Sequence, residues 1–147
     1  MVMNTLQKMR FACLALPLTL GAGTSHSQEP GSPGISIELS AATTENAGCR
    51  MSFLIHNRHP QDITGAVYET VLFGDQGQVA QMTLLDFEDL PAGRPRVRQF
   101  RFDGMSCDSI SRVLINGAEN CTAPGLDPKA CDTGLELKSM TKTELIG

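Results

Sequence analysis

Four cysteines, Cys49, Cys107, Cys121 and Cys131, carry the clearest chemistry in this chain. An even set of thiols beyond an export signal closes into disulfides. The fifth, Cys13, lies inside that signal. No C-x-x-C spacing is present, so the four read as structural staples rather than as an exchange centre. Four thiols allow three pairings, and composition does not choose among them.

His56 and His59 are the histidines beyond the signal, and Met51, Met82 and Met105 supply thioethers. Imidazole and thioether together suit copper, so a periplasmic copper-binding protein is the alternative function. Pro60 breaks any helix that would align the two rings, and no compact Met/His motif exists, so no cofactor and no metal ligand is assigned. Glu69 shares parity with Val67, Val71 and Phe73; if those face the core, its carboxylate is buried and needs a partner or a proton. No nucleophile–base pair or paired acids accompany it, so the chain is expected not to be an enzyme.

Arg94, Arg96, Arg98 and Arg101 follow Asp86, Glu88 and Asp89 by one turn. A hairpin between the two strands would set arginines opposite carboxylates, at roughly 0.2–1 kcal/mol per pair. That is a salt ladder fixing register. The same arginines, binding carboxylates or phosphates bidentately, would make a partner-docking edge. Val97 and Phe100 cannot share a face in a regular strand, which calls for a bulge near Arg98-Gln99.

The elements behind these residues start after residue 27. Lys8 and Arg10 precede a short apolar run, and Ser25-His26-Ser27 offers small residues for cleavage, so 1–27 reads as a signal peptide. Pro17 interrupts a run well short of the roughly 20 residues a spanning helix needs, so no membrane insertion is expected after cleavage. Lys8-Met9-Arg10 is no twin arginine, which points to the general secretory route and a periplasmic location. Taking away Lys8 and Arg10 leaves 10 basic residues against 16 acidic ones, a net charge of −6. That balance argues against nucleic acid and anionic membranes as partners. With no Trp, one Tyr and six Phe, the chain also lacks a stacking groove for sugars.

Residues 28–34, QEPGSPG, form a flexible lead-in, and 35–147 one domain. Ile35, Ile37 and Leu39 alternate with polar residues, as do Cys49, Met51, Phe53 and Ile55, and the TTENAG stretch turns between them. Further strands are expected over 66–73, 79–87, 94–102, 110–116 and 134–140. About seven short strands with turn chemistry between them make an all-β, antiparallel sandwich of immunoglobulin type. A small closed barrel is the alternative.

The turns Phe73-Gly74-Asp75-Gln76-Gly77 and Leu90-Pro91-Ala92-Gly93 resemble those of bacterial immunoglobulin-like extracytoplasmic domains. Through Thr83-Leu84-Leu85-Asp86-Phe87, 94–100 and 112–118, the chain also resembles a group of uncharacterised small exported proteins of alphaproteobacteria. The resemblance implies export and this fold, and no particular activity. If the second and sixth strands face each other from opposite sheets, Cys49 and Cys107 fall at one end, and Cys121–Cys131 closes the link that follows. The expectation is thus an exported, non-enzymatic accessory or protein-interaction domain whose partner is an envelope protein.

Overall fold

The computed structural model describes residues 31–147. The signal peptide expected at 1–27, Cys13 within it and the start of the lead-in lie outside the described residues.

Strand β1 (Ile35–Glu45) buries Ile35, Ile37 and Leu39, and β2 (Gly48–Asn57) buries Cys49, Met51, Phe53 and Ile55. Period-two alternation therefore puts one face of each in the core. They pair through a two-residue loop in which Asn46 and Ala47 adopt φ of 45° and 58°. Both values are left-handed, the geometry that matches the twist of flanking strands. Most of the stretch expected to turn is therefore ladder. The remaining strands are β3 (Gly65–Gly74), β4 (Val79–Asp86), β5 (Arg96–Asp103), β6 (Ile110–Thr122), β7 (Glu136–Ser139) and β8 (Glu144–Ile146).

They form two four-stranded sheets, ordered β5-β2-β1-β7 and β4-β3-β6-β8. The fold is the expected all-β, immunoglobulin-like sandwich, with eight strands instead of seven. The added strand, β8, has three residues, too few to show an alternation. Two pairings, β1 with β7 and β6 with β8, are parallel, so the sandwich is not wholly antiparallel. β6 also runs past Asn116-Gly117, where a stop was expected. Register shifts opposite β3 leave Asn116 and Glu119 without register partners on either side of the Gly117–Ala118 pair, with Gly117 at φ 147°, so the stretch is taken up as irregularities inside the strand.

Phe87 is the hub between the sheets. Its ring lies edge-on to Phe53 at 5.8 Å, Tyr68 at 5.7 Å and Phe100 at 5.3 Å. Each such pair contributes about 0.5–1.5 kcal/mol beyond the area it buries. On β3 the side chains with no exposure are Ala66, Tyr68, Thr70 and Leu72, while Val71, of the opposite parity, is buried beneath its neighbours on the outer face. The parity assumed for Glu69 is therefore reversed: Val67, Glu69 and Phe73 point outward.

The disulfides are Cys49–Cys107, linking β2 to the 3-10 turn before β6 in the other sheet, and Cys121–Cys131 after β6. Both pairings are the expected ones. Their separations, 58 and 10 residues, correspond in the chain-entropy view to about 4 and about 3 kcal/mol. The Tyr68 hydroxyl, buried, donates to the Cys131 carbonyl at 2.7 Å and ties the shorter loop to the core.

Burial, with a smaller effect of the Asp132 carboxylate, raises the pKa of the Tyr68 phenol above its ordinary value. The unfolded chain ionises near pH 10 while the folded phenol keeps its proton. Stability should hold below that pH and fall above it. Because Tyr68 is the sole tyrosine, tyrosinate absorbance should appear only together with loss of near-ultraviolet circular dichroism. Tyrosinate forming at ordinary pH in the folded protein would contradict the buried hydrogen bond. Tyr68→Phe should cost about 1–2 kcal/mol in denaturant melts, since the Cys131 carbonyl loses its donor.

Candidate functional site

The acid and arginine runs meet, but not as a ladder. β4 pairs with β3, and β5 pairs with β2, so residues 87–95 carry the chain from one sheet to the other. The expected hairpin does not form. Phe87 and Leu90 are both buried, and bridges from Ile63 to Leu90 and from Asn57 to Ala92 hold the crossing against the sandwich. Arg98 clamps it from the other side. Its Nε donates to the Phe87 carbonyl at 2.9 Å and an Nη to the Asp89 carbonyl at 3.3 Å. The same head meets Glu88 at 3.2 Å and Asp89 at 3.4 Å, while Arg96 reaches Asp89 at 3.7 Å. Glu88 itself sits at φ 59°, a left-handed residue that the clamp holds in place.

β5 needs no bulge. Its ladder with β2 is continuous; Phe100 and Phe102 share the inner parity with Arg96 and Arg98, and Val97 points out, 59% exposed. Arg101 takes the outer face opposite Arg50, with Asp103 and Glu45 neutralising the two cations at 2.7 Å each. Arg94 is exposed on the preceding turn. The four arginines thus occupy three settings rather than one stripe.

The histidines do not converge on a ligand set. His59 Nε2 lies 2.9 Å from the Ala130 carbonyl, which only accepts, so this ring nitrogen donates. Among the described residues, no group of three or more His, Cys, Asp or Glu stands close enough to hold a metal ion. His56 lines an open cleft of about 680 Å³ with Leu54, Pro95, Glu38, Glu136 and Lys138. Its carboxylates are engaged, Glu136 by Arg58 at 2.7 Å and Glu38 by Lys138 at 3.3 Å. Hydrogen bonds from Ser40 and then Lys138 hold the Glu38 carboxyl below its ordinary pKa. Glu69, on the outer side of β3, accepts from the Asn116 side chain.

A feature not foreseen in the sequence lies on the outer face of β4-β3-β6-β8. Register places Met82 beside Val71, Val71 beside Leu114 and Leu114 beside Ile146, one apolar row across all four strands. Leu84, beside Glu69, and Val79, beside Phe73, flank it. Met82, Leu84 and Val79 are 58%, 54% and 57% exposed. At one margin Arg112 stacks on Phe73 and pairs with Glu144 at 2.9 Å. The row draws on residues 75 positions apart in the chain, from Val71 to Ile146; only the pairing of the strands assembles it.

No protein-family model matches the chain, and no curated protein matches it. Among solved structures it is similar to one described as the structural characterization of IrmA from Escherichia coli, at a TM-score of 0.54 and 12% identity. The likeness covers 71% of this chain and 91% of that one. At this identity the likeness is one of fold.

The clamp predicts how charge changes act. Arg98→Ala should cost about 1–3 kcal/mol, because two carbonyls of the crossing lose a charged donor. Exchanging the pair, Glu88→Arg with Arg98→Glu, restores the opposite charges but no donor to Phe87 or Asp89. The double variant should remain nearly as unstable as Arg98→Glu in urea melts. Recovery of most of the wild-type stability would show that the ion pair, not the carbonyl clamp, matters.

Proposed function

We propose that this protein is an accessory, protein-interaction domain of the cell envelope, without chemistry of its own, exported by the general secretory route to the periplasm. The apolar row Met82-Val71-Leu114-Ile146, exposed at its two ends and closed over at Val71, with Leu84 and Val79 exposed beside it, is the observation that carries the reading. Scattered apolar side chains on a surface are ordinary, but a contiguous row across a whole sheet is the usual mark of a surface that another molecule covers. Two disulfides fit an oxidising, extracytoplasmic setting, and no helix among the described residues is long and apolar enough to cross a membrane. The resemblance to exported alphaproteobacterial proteins supports the periplasmic address. The acidic balance, 16 carboxylates against 12 basic residues, disfavours nucleic acid and anionic membrane as what covers the row. A copper role finds no support at His59, whose Nε2 is committed to a carbonyl.

Immobilised protein beginning at Gln28 should retain a defined set of envelope proteins. Met82→Lys with Ile146→Lys, which charges the row at both ends, should lose them. Leu54→Lys, an exposed change on the opposite sheet, should keep them. Equal retention by all three proteins would remove the outer face from the function.

A further inference from the structure

We propose that the free edge of β4 takes up an extended, cation-flanked segment of a partner protein as a fifth strand of the sheet β4-β3-β6-β8. This deepens the interaction reading above and rests on it. The two sheets end in four edge strands, β5, β7, β4 and β8, and three of them are guarded. β7 and β8 are four and three residues long. β5 carries Arg96, Arg98, Arg101 and Asp103, with Arg98 folded onto the crossing. Short length and charge are the usual devices that stop an edge from pairing. β4 has neither: it runs eight residues, VAQMTLLD, with no proline and no charge before its last position.

The backbone phase along β4 follows from the ladder it continues. Phe87 N donates to Ala66 O at 2.8 Å and Ala66 N to Glu88 O at 3.1 Å, so Ala66 is turned toward β4. Alternation then turns Tyr68, Thr70 and Leu72 the same way, and their register partners Leu85, Thr83 and Gln81 toward β3. The N–H and C=O groups of Met82 and Leu84 therefore face the open edge, up to the register shift at Ala80. Donors and acceptors alternating along such a line are matched by another extended polypeptide. Incoming side chains beside Met82 and Leu84 would extend the apolar row by one strand; those beside Gln81 and Thr83 meet polar groups.

Charge selects the partner further. Asp75, in the turn before β4, and Asp86, at its end, are exposed and hold no cation among the described residues. A neutral stretch with a carboxylate at each end favours a segment with lysine or arginine at its two ends. A second copy is disfavoured on the same ground, since two antiparallel β4 strands would gather carboxylates at both ends of the joint.

The probe is an acetylated, amidated peptide, Lys-Val-Thr-Val-Thr-Val-Lys, titrated into the isotope-labelled protein starting at Gln28. Saturable binding is expected, with the largest amide shifts in 79–86. The Glu-flanked peptide should bind about tenfold more weakly at low salt. N-methylation of the residues whose N–H groups face β4 should weaken binding by more than about tenfold. Met82→Pro removes one edge-facing N–H and no bond to β3, and should weaken binding similarly; if that variant does not fold, the N-methylated peptide tests the same bond from the ligand side. Absence of binding, shifts centred elsewhere, or equal affinity of the N-methylated peptide would overturn the edge site. So would a dimer that forms through β4. If peptide binding fails while partner retention is still lost on charging the outer face, the edge is wrong and the interaction reading stands; if peptide binding holds and retention ignores that face, the reverse follows.

Discussion

Asn57 holds the point on which the arrangement of strands depends. It is fully buried, and a buried amide is costly unless its hydrogen bonds are made. Here they are. Nδ2 donates to the Gln61 carbonyl at 2.9 Å and the Leu90 carbonyl at 2.8 Å, and Oδ1 accepts from His59 N at 2.9 Å. Its own carbonyl accepts from Gly93 N at 2.9 Å. The end of β2 is thereby bonded to both halves of the crossing that leaves β4 for the opposite sheet. A β4–β5 hairpin would surrender both hydrogen bonds to Leu90 and Gly93 and expose Phe87, the aromatic hub.

β2 is consequently tethered at both ends to the other half of the sandwich. At its start Cys49 is bonded to Cys107 ahead of β6, and at its finish Asn57 holds the crossing. Eight steps along the strand, about 27 Å, separate the two ties. Between them the core is closed by Phe53, Phe87, Phe100 and Tyr68. Sending β5 to the sheet of β2 has a further effect: β4 keeps one neighbour. The edge that remains open, and the apolar row beside it, are products of the same crossing that Asn57 and Arg98 secure.

Much of this was legible in the sequence, for physical reasons that differ by element. β1 and β2 each carry one apolar face, so alternation located them within a residue or two at their buried ends. The disulfide pairing followed from strand order, because Cys49 lies at the start of one strand and Cys107 just before another in the opposite sheet. β3 misled because it is central in its sheet: Tyr68 and Leu72 are as apolar as Val67 and Val71, and parity alone could not say which set faced inward. The turn Leu90-Pro91-Ala92-Gly93 looks alike in a hairpin and in a crossing between sheets; Leu90, buried against Ile63, is the residue that distinguishes them, and its contact is long-range. Among the arginines, chemistry was read correctly and geometry was not. The partners of Arg98 include backbone carbonyls, which leave no trace in a charge pattern.

The central claim is that the crossing of 87–95 leaves β4 with one paired side. Residue-resolved amide hydrogen exchange of the free protein tests it most directly. Gln81, Thr83 and Leu85, bonded to β3, should exchange slowly, while Met82 and Leu84 should exchange at rates near those of an open chain. Slow exchange at both sets, together with nuclear Overhauser contacts between β4 and β5, would show that the two strands pair after all and would contradict the account.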